Sequence, residues 1–89
     1  MAELITAYVL VKTEVGKTDF VLKDILDVSK ISKATMVTGD YDIVAELESD
    51  SVDDILGTVA QEIRQIRNVT ETKTLIGTKL PSYSPRGNL

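Results

Sequence analysis

The sequence predicts an α+β domain in which strand, helix, strand occurs twice, and three observations carry that reading. Runs of β-branched and aliphatic residues stand at Leu4 to Val11, Ile31 to Val37 and Val69 to Ile76. Two other segments repeat apolar residues at helical spacing. Gly16, Gly39 and Gly77 fall where one pattern gives way to the next. With 89 residues the chain forms one domain, and a domain this small buries only about 60–65% of the surface its unfolded form exposes.

Taken in order, Leu4 to Val11 reads Leu-Ile-Thr-Ala-Tyr-Val-Leu-Val. Both alternating faces are apolar, so this strand belongs in the centre of a sheet with cover on each side. Val15-Gly16 ends the run. Val21, Leu22, Ile25 and Leu26 then share one stripe of a helix over roughly residues 17 to 27, with Thr18 as a candidate cap. The extended run Ile31 to Val37 leads into Thr38-Gly39-Asp40-Tyr41-Asp42. Glycine before aspartate suits a type II′ turn, which needs a positive φ at its first central residue, and a tight hairpin is expected.

The strand leaving that turn, Tyr41 to Glu48, has Tyr41, Ile43, Ala45 and Leu47 on one face and Asp42, Val44, Glu46 and Glu48 on the other. Ser51 is a good N-cap for a second helix, with Asp53 and Asp54 in its first turn, where the helix dipole favours negative charge. Val52, Ile55, Leu56, Val59, Ile63 and Ile66 continue its apolar stripe. Arg64 and Arg67 complement the dipole near its end, and Asn68-Val69 stops it. Val69 to Ile76 is the last strand. Residues 1–78 are read as the domain and residues 79–89, with two prolines and little to bury, as an irregular C-terminal tail.

Strand, helix, strand, strand, helix, strand is the split βαβ pattern of a ferredoxin-like antiparallel sheet with two helices on one face. Helices cover only that face. The first strand is apolar on both, so either Leu4, Tyr8 and Leu10 or Ile5, Ala7, Val9 and Val11 are expected to meet a second protomer. Burying about 800 Å² per partner is ordinary for a specific interface.

Composition removes several functions. The chain has no cysteine and no histidine, so a disulfide framework, a thiolate metal site and the commonest general base are all missing. Fourteen acids against 10 bases give a net charge of −4, and Asp40, Asp42, Glu46, Glu48, Asp50, Asp53 and Asp54 fall in a stretch without Lys or Arg. Direct nucleic-acid binding needs clustered positive charge and is not expected. No apolar run reaches the roughly 18 residues of a membrane span, and the start lacks a basic region before an apolar signal core, so a cytoplasmic protein without a membrane segment is expected.

Three motifs fail on inspection. Gly16-Lys17-Thr18 copies the end of a phosphate-binding loop, but Val11 stands where that loop needs its first glycine. Asp40 and Asp42, near Glu46 and Glu48, offer carboxylate oxygens to a hard cation, yet strands routinely carry exposed acids, and no metal or cofactor is expected. Asn68-Val69-Thr70 fits a glycosylation acceptor without an export signal to make it usable.

The segment from Gly39 to Asp42 is the candidate site. Its apex offers free backbone N–H groups, a phenol and carboxylates, which are groups that hold a small zwitterion. The plainer reading gives Gly39-Asp40 as a good hairpin turn, Tyr41 as core and Asp42 as a partner of the turn backbone.

These residues carry a resemblance. The first strand, Val-Thr-Gly-Asp-Tyr-Asp-Ile-Val at 37 to 44, the second helix and Val-Thr-Glu-Thr-Lys-Thr at 69 to 74 resemble the C-terminal regulatory domain of the Lrp/AsnC family. That unit is called the RAM domain, for regulation of amino-acid metabolism. The most specific element is Gly-x-Tyr-Asp, met by Gly39, Asp40, Tyr41 and Asp42. The family's usual N-terminal helix-turn-helix has no counterpart before the first strand, so the chain resembles a stand-alone RAM domain. The resemblance implies a dimer with sheets face to face, rings of dimers, and amino-acid effectors bound between protomers. It implies Gly39, Asp40, Tyr41 and Asp42 as ligand-binding residues, and Thr74, Leu75 and Ile76 as positions lining the pocket.

The expected function is therefore a non-enzymatic amino-acid-sensing and oligomerisation module. It would regulate amino-acid metabolism or transcription through partners, including mixed assembly with full-length Lrp/AsnC relatives. Two alternatives stay open. One is a small dimeric ferredoxin-like enzyme, in which only Asp40, Asp42, Glu46 or Tyr8 could act as base. The other is a purely structural assembly domain.

Overall fold

The computed structural model describes residues 4–78; the expected tail at 79–89 lies outside the described residues. Its elements are β1 (Ile5–Thr13), α1 (Thr18–Leu26), β2 (Ile31–Met36), β3 (Ile43–Ser49), α2 (Val52–Thr58), a π-helical segment (Val59–Ile63) and β4 (Val69–Ile76). The four strands form one antiparallel sheet in the order β2-β3-β1-β4. This is the ferredoxin-like arrangement the element order predicts, with β1 between β3 and β4.

The period of two along β1 sorts its residues. Ala7, Val9 and Val11 are fully buried, and their β3 partners Leu47, Ala45 and Ile43 are too. Size alternates across these pairs, with Ala7 against Leu47 and Val9 against Ala45, which suits close packing of the layer. Val21 and Ile25 of α1, Val59 and Ile63 of the π-helical segment and Val28 close the core over this face. Ile55 of α2 is fully buried as well.

The other face of β1 has no cover among the described residues. Tyr8 is 40% exposed, and Leu75, its β4 partner in register, is 46% exposed. Leu10 lies between Val44 and Lys73 on the same side. Of the two sets expected to meet a second protomer, the helices bury Ala7, Val9 and Val11, with Ile5 half-buried, and leave Leu4 and Tyr8 exposed and Leu10 half-buried.

The second helix differs from its expected form. Ser51 caps it as predicted, its hydroxyl accepting the Asp54 N–H at 3.2 Å, but the α-helix ends at Thr58. Gly57 and the β-branched Thr58 and Val59 weaken α-helical propensity there. The backbone continues as a wider π turn, in which the Arg64 N–H donates to the Val59 carbonyl at 2.8 Å. Val52 and Leu56 stay 39% and 47% exposed instead of joining the core. Asn68, at φ 75, then reverses the chain into β4.

Two smaller expectations also change. Thr18 does not cap α1; the N-cap is Lys17, without a side-chain bond, and the Thr18 hydroxyl pairs with that of Thr13 at 2.8 Å. Gly77 is required by a close approach. Its N–H donates to the Thr6 carbonyl at 2.7 Å, and a Cβ there would lie 2.8 Å from that oxygen.

Candidate functional site

The connection between β2 and β3 is wider than a two-residue turn. The strands stop at Met36 and Ile43, and the last rung is the Val37 N–H donating to the Asp42 carbonyl at 2.9 Å. Among the described residues no backbone bond joins Thr38 to Tyr41, so the expected tight hairpin opens into a loop. Gly39 does take a positive φ, +123, with open space where a Cβ would stand.

Side chains explain the opening. Asp42 turns toward β1: its N–H donates to the Val11 carbonyl at 2.9 Å. Its Oδ2 accepts the Thr13 N–H at 2.8 Å and the Thr13 hydroxyl at 3.2 Å. Through the Thr13 and Thr18 hydroxyls this carboxylate reaches the first residue of α1. Tyr41 leaves the strand in another direction, its hydroxyl donating to Glu71 Oε2 at 2.9 Å. Lys12, opposite Glu71 in the β1–β4 register, holds its Nζ 5.7 Å from the centre of the Tyr41 ring. Glu71, accepting the phenol's proton and standing as a negative charge beside it, raises the Tyr41 pKa, with Asp40 adding to the effect.

The loop is thus pinned at Tyr41 and Asp42 and presents Gly39 and Asp40 at its exposed apex. Among the described residues, the N–H groups of Gly39, Asp40 and Tyr41 find no backbone acceptor. These donors, the Lys12 ammonium and the Asp40 carboxylate lie around one corner of the sheet, and they offer partners to both charges of a zwitterion.

Thr74, Leu75 and Ile76 do not join this cluster in one protomer. Glu71 is the β4 residue that touches the loop, and the three follow it by three to five positions, roughly 10–17 Å at about 3.3 Å per residue. Thr74, opposite Val9, is half-buried on the helix side, whereas Leu75, opposite Tyr8, is on the open face. Lys12, Thr13 and Glu71 are the site neighbours that sequence reasoning missed. No spacing or motif links residue 41 to residue 71; only the β3-β1-β4 order does.

Among the described residues no group of three or more acidic side chains converges as a metal site. No helix among them is long and apolar enough to cross a membrane.

A family model described as the Lrp/AsnC ligand binding domain matches residues 6–86. The chain belongs to the Lrp/AsnC ligand-binding domain family. Solved structures of this type superpose closely. The crystal structure of FFRP-DM1 is 28% identical with a TM-score of 0.78, covering 83% of this chain and 99% of its own. TTHA0845 from Thermus thermophilus is 27% identical with a TM-score of 0.82, covering 88% and 98%. The complex of the transcriptional regulator NMB0573 from Neisseria meningitidis with L-Met shares the fold at 12% identity and a TM-score of 0.73. There the alignment covers 91% of this chain and 54% of the regulator. No curated protein matches the chain in sequence. As an Lrp/AsnC ligand-binding domain, the chain is a ligand-sensing regulatory module.

Proposed function

We propose that this Lrp/AsnC ligand-binding domain senses an amino acid at the loop from Gly39 to Asp42 and works as an oligomer without catalysing a reaction. The observation that carries the reading is the pinned loop. Tyr41 and Asp42 are held by Glu71 and Thr13, so the apex amides are pre-organised at little entropic cost on binding. The apex N–H groups and Lys12 take the α-carboxylate, and Asp40 takes the α-ammonium. Asp42 contributes through its second oxygen while its first stays on Thr13.

Thr74, Leu75 and Ile76 enter the pocket from a neighbouring protomer, because their distance along β4 removes them from the loop of their own chain. The open sheet face around Tyr8, Leu10, Val44 and Leu75 is the surface on which a second copy sits, giving a dimer and, through further contacts, a ring. Ligand occupancy then alters assembly and is passed to partners, including full-length Lrp/AsnC relatives. That an L-Met complex is known for a regulator of the same fold supports an amino acid as the ligand class.

A thermal-shift screen against the twenty amino acids, with molecular size measured in parallel, tests the reading. A ligand that binds only the native state raises the melting temperature. At least one amino acid is expected to do so in a species larger than 9.7 kDa. If none does, the domain is an assembly unit without an amino-acid ligand.

A further inference from the structure

The geometry points to a second binding site, a groove between the π-helical segment and β4 that takes a small aliphatic carboxylate lacking an ammonium group. The groove exists because, among the described residues, α1 packs over β2 and β3 and α2 over β3, while the helix side of β4 is only partly covered, leaving Thr72 and Thr74 half-buried. Its volume is about 570 Å³, inside the range of roughly 300–1,000 Å³ typical of small-molecule sites.

Two backbone irregularities line it from opposite sides. One wall holds the π turn, whose ring closes from the Arg64 N–H to the Val59 carbonyl. The other holds a bulge in β4. Glu71 pairs with Lys12 and Val69 with Thr13, so Thr70 is an extra residue in the strand, and its hydroxyl donates to the Lys12 carbonyl at 3.2 Å. Each device sacrifices regular hydrogen bonding, and both kinds are over-represented beside functional sites. Here they face each other across the same space.

The lining sets the ligand's chemistry. Leu56, Val59 and Val69 supply an apolar wall, and Leu56 is 47% exposed along it. Thr72 and Thr74, opposite Val11 and Val9 in register, point to the helix side and line the groove half-buried. Among the described residues their hydroxyls have no hydrogen-bond partner, and Arg64 has no ion pair. A guanidinium with two hydroxyl donors is a carboxylate receptor. Glu71 is the acid in the lining; by strand alternation its side chain falls on the face of β4 opposite Thr72 and Thr74, where its Oε2 accepts the Tyr41 hydroxyl. Among the described residues, an ammonium brought to the Thr72 and Thr74 side would meet no carboxylate there, which disfavours amino acids relative to their des-amino counterparts.

The test is a titration followed by amide NMR, using 4-methylpentanoate and L-leucine, which share a carbon skeleton and differ in the ammonium. The wild type, Arg64→Gln and Thr72→Val are compared. Saturable shifts confined to Leu56–Arg64 and Val69–Thr74 are expected with 4-methylpentanoate. Arg64→Gln should weaken that binding by roughly tenfold or more, as for loss of a charge-assisted bond. Leucine should bind there at least roughly tenfold more weakly. Equal or tighter leucine binding in the groove overturns the ligand class. Absence of saturation, or unchanged affinity in folded Arg64→Gln, overturns the site. Shifts centred on Gly39–Asp42 also overturn it and belong to the loop site instead. Shifts in the same groove on raising protein concentration without ligand would place a second copy there and overturn the small-molecule assignment.

Discussion

Asp42 and Thr13 are bound to each other twice, the Asp42 Oδ2 atom accepting the Thr13 N–H at 2.8 Å and its hydroxyl at 3.2 Å. The aspartate of the Gly-x-Tyr-Asp pattern therefore has a structural task before any ligand arrives. It fastens the loop between β2 and β3 to the end of the central strand and, through Thr18, to the start of α1. Loss of this carboxylate is felt in the fold as well as in the site.

Asp42→Ala is expected to lower stability by about 1–3 kcal/mol, because it leaves the part-buried Thr13 N–H without its acceptor. The same variant should weaken amino-acid binding roughly tenfold or more. Thr13→Val keeps the backbone bond and should change affinity less than it changes stability. Denaturant unfolding with calorimetry on both variants separates the effects. Unchanged affinity in folded Asp42→Ala would confine this residue to its structural task.

Gly39→Val should destabilise the loop by about 1–3 kcal/mol through backbone strain. At φ +123 a β-branched residue is in a disfavoured region, although no atom within 4 Å opposes its Cβ. Gly39→Ala, strained but smaller, should show most of the same loss. If both variants melt at the wild-type temperature, the loop relaxes freely and is not pre-organised.

Tyr41 should titrate above the ordinary phenol value of 10.0, because Glu71 stabilises its protonated form. A raised pKa contributes stability that is complete below pH 10.0 and disappears as pH rises through the folded-state value. Ultraviolet titration of phenolate is the measurement. Glu71→Gln should bring the Tyr41 midpoint back down, and a midpoint indifferent to that change would break the assigned bond.

Asp54 should behave in the opposite sense. The Ser49 hydroxyl, at 2.7 Å, and then Lys30, at 3.3 Å, lower its pKa below 3.8. Its contribution is present above that value and is lost as pH falls through the depressed one. Ser49→Ala should raise the Asp54 midpoint in carboxyl NMR and shift acid unfolding to higher pH. An unchanged midpoint would assign the depression to Lys30 alone.

A charge on the open face should act on assembly, and a charge under the helices on folding. Tyr8→Glu and Leu10→Lys are expected to yield folded, smaller species by light scattering, whereas Val9→Asp, at a fully buried position, should not fold. A wild type that scatters as a compact 9.7 kDa monomer at micromolar concentration would remove the assembly reading.

The fold was legible in the sequence because β1 announces its position. A strand apolar on both sides belongs in the centre of a sheet, and Val9 does sit between Ala45 and Thr74. The stripe from Val52 to Ile66 was legible as helix but not as a helix that changes its winding. The 3.6-residue repeat cannot register one π turn, and Gly57, Thr58 and Val59 were the local signs. At the site, Gly39 to Asp42 could be singled out from turn chemistry and family pattern. Their partners could not, since Thr13 and Glu71 reach them through strand order, and a strand order is not written as a motif.

The central place of β1 has a kinetic consequence. Its two neighbours are β3 and β4, and Ala7 meets Ile76 only after nearly all the intervening chain exists. Local contacts form early in folding, and pairings of high sequence separation must wait for loop closure. During synthesis the most apolar segment therefore emerges ahead of both strands that shelter it. Until Val69–Ile76 arrives, one edge of β1 and its row of backbone donors and acceptors stay open to any extended chain nearby.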